Sequence, residues 1–123
     1  MERSRVERAR ELQDRTKKFA LQIIRTFAQL PKTEEARVLG RQFLRSGTSV
    51  AANYRAACRA RSAADFISKI SVVTEETDET LFWLELTVEA KMMRAEDLES
   101  AIKECGELLK IFSASLATAK VNR

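Results

Sequence analysis

The sequence predicts an all-α fold, an up-down antiparallel four-helix bundle, on three observations. Apolar side chains recur at three- and four-residue spacing through four long segments, alternation of the strand type is absent, and only three short breaks interrupt the pattern. Long helices joined by short loops pack antiparallel to their sequence neighbours, and 123 residues suit one domain that buries a core without metal or disulfide support.

The first helix is predicted over residues 4–29, with Leu12, Phe19, Ile23, Phe27 and Leu30 in one stripe. Pro31, the only proline, ends it. The second spans 33–60. Thr33 is its expected cap, and Glu34 and Glu35 in its first turn suit the positive end of the helix dipole. Its core face is Leu39, Phe43, Gly47, Val50, Tyr54 and Ala57, and small residues on that side admit a close neighbour. Ser46-Gly47-Thr48-Ser49 also reads as a loop, but the apolar phase is the same before and after it, which argues for one continuous helix. Asn53 is placed to satisfy a buried hydrogen bond.

Ser62-Ala-Ala-Asp65 has the form of a capping box and opens a third helix over 63–90, with Phe66, Ile70, Val73, Thr77, Leu81, Leu84 and Val88 facing inward. The fourth, 95–118, buries Leu98, Ile102, Cys105, Leu109, Phe112 and Leu116.

Composition excludes several functions. No apolar run approaches the roughly 20 residues that span a bilayer, and the amino terminus lacks the apolar core of a signal peptide, so no membrane partner and a cytoplasmic location are expected. The chain has no histidine, the commonest general base and transition-metal ligand. No nucleotide-binding glycine motif or nucleophile elbow is present. An enzyme, a cofactor, a metal site and a small-molecule substrate are therefore not expected. Glu75, Glu76 and Glu79 resemble part of a di-iron carboxylate set, but that site also needs Glu-x-x-His. Cys58 and Cys105 lack metal-ligand spacing and read as buried, reduced thiols.

Charge is the functional signal. Residues 1–64 hold 15 basic and 6 acidic side chains, a balance of +9, whereas residues 65–123 hold 7 and 12, a balance of −5. Between Ala36 and Ala64 stand Arg37, Arg41, Arg45, Arg55, Arg59 and Arg61 with no lysine or acid among them. On a helix the first five fall within an arc of roughly 80°. A one-sided row of permanently charged, planar guanidiniums meets either a polyanion or acids of a neighbouring helix. The first reading makes Arg37, Arg41, Arg45, Arg55 and Arg59, joined by Arg15 and Lys18 of the basic first helix, a phosphate-binding surface for RNA or DNA. Without interleaved aromatics, sequence readout is not indicated. The second reading pairs the row with Glu75, Glu76, Asp78, Glu79, Glu85 and Glu89, which would leave a structural or protein-interaction assembly that binds no nucleic acid. Both stay open on charge alone.

Phe82, Trp83 and Leu86 lie off the main stripe of the third helix, as Leu21 and Ile24 do on the first. Adjacent large aromatics cannot both face one core stripe, and this group is the expected homo-oligomer interface.

The segments RSGTSVAANYR, Arg45 to Arg55, and ARSAADFISKI, Ala60 to Ile70, closely resemble the signature of the four-helix bundle proteins called 23S rRNA intervening sequence proteins. The resemblance extends through QLPKTEEARVLGRQFLRSG and TDETLFWLEL, and so covers nearly the whole chain. It implies a cytoplasmic bacterial bundle that assembles as a homopentamer, a ring or barrel of five copies. Some relatives are encoded within insertions in large-subunit ribosomal RNA genes. Others, the accessory variability determinants of diversity-generating retroelements, are basic pentamers that bind nucleic acid and a reverse transcriptase. One departure stands out: Ala56 occupies a place where a glutamate commonly follows Asn-Tyr-Arg, which makes the arginine face more purely positive.

Overall fold

The computed structural model describes residues 4–123, so the first three residues of the amino-terminal stretch lie outside the described residues. Four helices follow one another: α1 (Arg5–Ala28), α2 (Glu34–Ala57), α3 (Ala63–Glu89) and α4 (Ala95–Val121). Local chemistry accounts for the starts of the first three. The hydroxyls of Ser4, Thr33 and Ser62 accept from the backbone N–H three residues on, at 3.1, 3.3 and 3.0 Å, and satisfy donors that the first turn leaves unpaired. Asp65 completes the predicted cap of α3 by reaching back to the backbone N–H of Arg61 at 3.0 Å, one residue before the cap itself.

The third connection is a Schellman turn. Met92 N–H donates to the Thr87 carbonyl and Lys91 N–H to that of Val88, while Lys91 takes the left-handed φ of 59° that glycine usually fills.

Each helix packs on its neighbours in the chain, and α1 also meets α4, the loosest of the four contacts. The backbones of α1 and α3, and of α2 and α4, stay apart among the described residues, the square section of an up-down bundle, and the α2–α4 diagonal is bridged by side chains: the Tyr54 and Phe112 rings meet with centroids 5.4 Å apart. Phe19, Ile23, Phe43, Val50, Ile70, Val73, Leu84, Leu98, Leu108 and Phe112 form the fully enclosed core. Close approach of α1 and α2 depends on two glycines. A Cβ at Gly47 would stand 2.9 Å from Ile23 Cγ1, and one at Gly40 would collide with Leu30 Cδ1 and come within 2.8 Å of Phe27 Cδ1. α2 is unbroken through Ser46-Gly47-Thr48-Ser49, because this cluster faces the core and α1 instead of solvent.

The structure corrects several expectations. α2 stops at Ala57, since Arg59 and Ala60 donate to carbonyls only three residues back and tighten the chain into a turn. α4 continues to Val121, no breaker intervening. Cys58 caps the end of α2 and is exposed, so only Cys105 is a buried thiol. The core stripe is also more polar than the periodicity indicated. Thr16, Thr26, Ser46, Thr80 and Thr87 are buried; Thr80 donates to Ser46 Oγ at 2.8 Å across α2 and α3, and the other threonines bond to carbonyls of their own helices. Asn53 is half-buried and bonds within its own helix, to the Ser49 carbonyl at 2.9 Å.

Candidate nucleic-acid interface

α2 turns its small and apolar residues inward and its arginines outward. Arg37, Arg41, Arg45, Arg55 and Arg59 are all exposed. The first four stand on the helix, and Arg59 continues the row from the turn beyond it. At 1.5 Å per residue, the row is roughly 33 Å long.

Acids reach only one member of it. Arg45 Nη2 meets Glu79 Oε1 at 2.5 Å and Arg45 Nη1 meets Glu76 Oε2 at 3.4 Å, both across to α3. These carboxylates, the Glu79 hydrogen bond foremost, hold the Arg45 guanidinium even further above its ordinary pKa. Arg37, Arg41, Arg55 and Arg59 make no ion pair among the described residues. Among the described residues, pairing therefore neutralises one guanidinium of the five.

Glu79 does a second job that periodicity alone does not reveal. Its Oε1 also accepts from Trp83 Nε1 at 3.3 Å, so one carboxylate ties the arginine row of α2 to the aromatic pair of α3. Trp83 is thereby half-buried against the core, while Phe82, 54% exposed, stands edge-on to it with ring centroids 4.9 Å apart. The signal available in the sequence was the i, i+4 spacing of Glu79 and Trp83 together with Arg45 lying level with Thr77.

Other candidates lie elsewhere. Arg15 is spent on α4, with Glu104 at 2.7 Å and Glu107 at 2.8 Å, and Lys18 lines the same α1–α4 seam with Lys103. Neither joins the α2 row. The five interface candidates divide into two patches. Leu21 and Ile24, 44% and 46% exposed, lie on the outside of α1, whereas Phe82 with half-buried Trp83 and Leu86 lies on α3, the helix diagonally opposite.

Residues 9–114 match the family described as 23S rRNA-intervening sequence protein. The chain belongs to that family. A solved structure agrees: a protein of unknown function from the S23 ribosomal protein family of Bacteroides thetaiotaomicron is 35% identical, with a TM-score of 0.78 over 85% of this chain and 96% of that one. No curated protein matches the chain. Membership of the 23S rRNA-intervening sequence family thus confirms the sequence resemblance and the four-helix architecture. Among the described residues no helix is long and apolar enough to cross a membrane.

Proposed function

We propose that this member of the 23S rRNA-intervening sequence family is a non-enzymatic homo-oligomer that binds RNA or DNA through the outer face of α2. One observation carries the reading: Arg37, Arg41, Arg55 and Arg59 form an exposed row that makes no ion pair among the described residues. A surface built for internal pairing would match its arginines as Arg45 is matched. Contacts from such a row go to phosphates and carry no base information, so binding is sequence-independent.

Assembly is supported by the two apolar patches. The α1 patch, Leu21 and Ile24, neighbours Lys17, Lys18 and Arg25 in sequence; the α3 patch around Phe82 neighbours Asp78, Glu79 and Glu85. Two different patches of opposite charge on diagonal helices suit a head-to-tail contact, which closes into a ring when the rotation allows, and a pentamer is the ring that the family resemblance implies. α1 and α3 are then covered while the α2 row stays open, once per copy, and repeated weak contacts gain through effective concentration. A reverse transcriptase, implied by the retroelement relatives, or an RNA is the further partner.

The test is binding of duplex and single-stranded RNA and DNA at low salt by wild type and by a variant with Arg37, Arg41, Arg55 and Arg59 changed to Gln. Loss of binding in a variant that keeps its native mass supports the proposal. No binding by either protein leaves the structural reading, and equal binding by the two removes the α2 row as the binding surface.

A further inference from the structure

The arginine row runs off the end of α2 into a concavity. Ala56, Arg59, Arg61, Asp65 and Lys69 line an open basin of about 580 Å³ beside the α2–α3 turn. The basin is shallow and open to solvent, so a group on the end of a strand can enter it without burial.

The one acid in the basin is already engaged on both oxygens. Asp65 Oδ1 accepts from Lys69 Nζ at 2.6 Å, and Oδ2 accepts from the Arg61 backbone N–H at 3.0 Å. These bonds, that of Lys69 first, hold the Asp65 carboxyl below the usual carboxylate range. Lys69 is thus matched, whereas the guanidiniums of Arg59 and Arg61 make no ion pair among the described residues. The basin therefore sets three cations, Arg59, Arg61 and Lys69, against the single carboxylate of Asp65, whose charge also acts on Arg61, and it keeps a net positive charge.

We propose that this basin holds the terminal phosphate monoester of a nucleic-acid strand whose phosphodiester backbone follows α2. The proposal rests on the reading of α2 as a phosphate-binding face and adds the chemistry of its end. An internal phosphodiester carries a single charge, which one arginine of the row answers. A monoester carries roughly −1.5 to −2 at pH 7 and three acceptor oxygens, and it calls for two planar donor forks converging on one place. Arg59 and Arg61 line the same basin, so both are within reach of one group seated there, whereas the arginines of the row stand one turn or more apart along the helix.

Fluorescence anisotropy on the intact protein separates the possibilities. The probes are one short oligonucleotide with a 5′-phosphate, with a 3′-phosphate, or with hydroxyls at both ends, at fixed salt. One phosphorylated form should bind about tenfold tighter than the hydroxyl form, the scale of one added charge-assisted contact. Whichever end is preferred gives the strand's polarity on α2. Arg61→Gln, an exposed change outside the row, should erase the preference and leave the hydroxyl-ended affinity within about twofold, while Arg41→Gln should weaken all three probes alike. Inorganic phosphate should compete away the preference before it displaces the strand. Equal affinities for the three probes in wild type, with Arg41→Gln still weakening each, would overturn the basin proposal and leave the α2 reading standing. A preference that survives Arg61→Gln would overturn it too. No binding of any probe at low salt removes the α2 reading and the basin with it.

Discussion

Replacing Gly47 with alanine tests the packing that presents the arginine row. On an isolated helix, Gly→Ala is worth about 0.8–1.0 kcal/mol of stabilisation from propensity. In the bundle the new Cβ would lie 2.9, 3.0 and 3.3 Å from Cγ1, Cγ2 and Cβ of Ile23. The last of these is anchored to the α1 backbone and cannot swing aside, so α1 and α2 must separate slightly. Overpacking of this kind costs about 1–3 kcal/mol, and the net change should be a loss of about 1 kcal/mol. Gly106 on α4 is the internal control. A Cβ there meets nothing within 4 Å, so Gly106→Ala should gain close to the full propensity term. The two variants should therefore differ by about 2 kcal/mol in urea unfolding followed by circular dichroism. In melting temperature that is roughly 6–10 °C for a chain of this size. Protein concentration must be held fixed, since assembly adds to apparent stability. Equal stabilisation by the two substitutions would show that α1 does not lie against α2 at Gly47, and would refute the packing argument.

Other expectations follow from the thiols and the exposed apolar patches. Cys58 should react with a thiol reagent in the folded protein and Cys105 only after denaturation, because burial first, and the nearby charges of Asp78, Glu104 and Glu85 after it, push the Cys105 thiol up to about 12. A group held protonated by folding stabilises the native state below its unfolded pKa and ceases to do so as pH rises, so stability should fall between about 9 and 12, and Cys105→Ser should flatten that fall. Phe82→Asp should lower the native mass without unfolding the subunit, as should Ile24→Asp on the diagonal helix; an unchanged mass in both would remove these patches from assembly.

How much of this was legible in the sequence depends on which interaction decided each feature. Helix caps and the unbroken course of α2 follow from local chemistry and apolar phase, and Thr33, Ser62 and Gly47 carry them plainly. The polar core was not legible. Thr80 and Ser46 satisfy one another across two helices, and Thr16, Thr26 and Thr87 satisfy themselves against their own backbones, which a hydropathy stripe scores as outward-facing. Cys58 carried an apolar residue's phase but lies where α2 has ended, so exposure followed from a boundary three residues earlier than periodicity suggests. For the candidate interface, the row itself was readable from spacing. Which arginines are neutralised was not, because Arg45 differs from Arg41 only in having Glu76 and Glu79 opposite it on α3. Arg15 shows the same dependence on three dimensions, since only the fold brings Glu104 and Glu107 to it.

The measurement closest to the central claim is the salt dependence of binding to a duplex about ten base pairs long, matched to the roughly 33 Å of the α2 row. Four free arginines on phosphates predict a slope of log K against log salt near −3.6 per row. Arg41→Gln should reduce its magnitude by about 0.9, while Arg45→Gln, which removes a guanidinium already held by Glu76 and Glu79, should change it much less. A slope indifferent to Arg41, or a loss as large at Arg45 as at Arg41, would contradict the account.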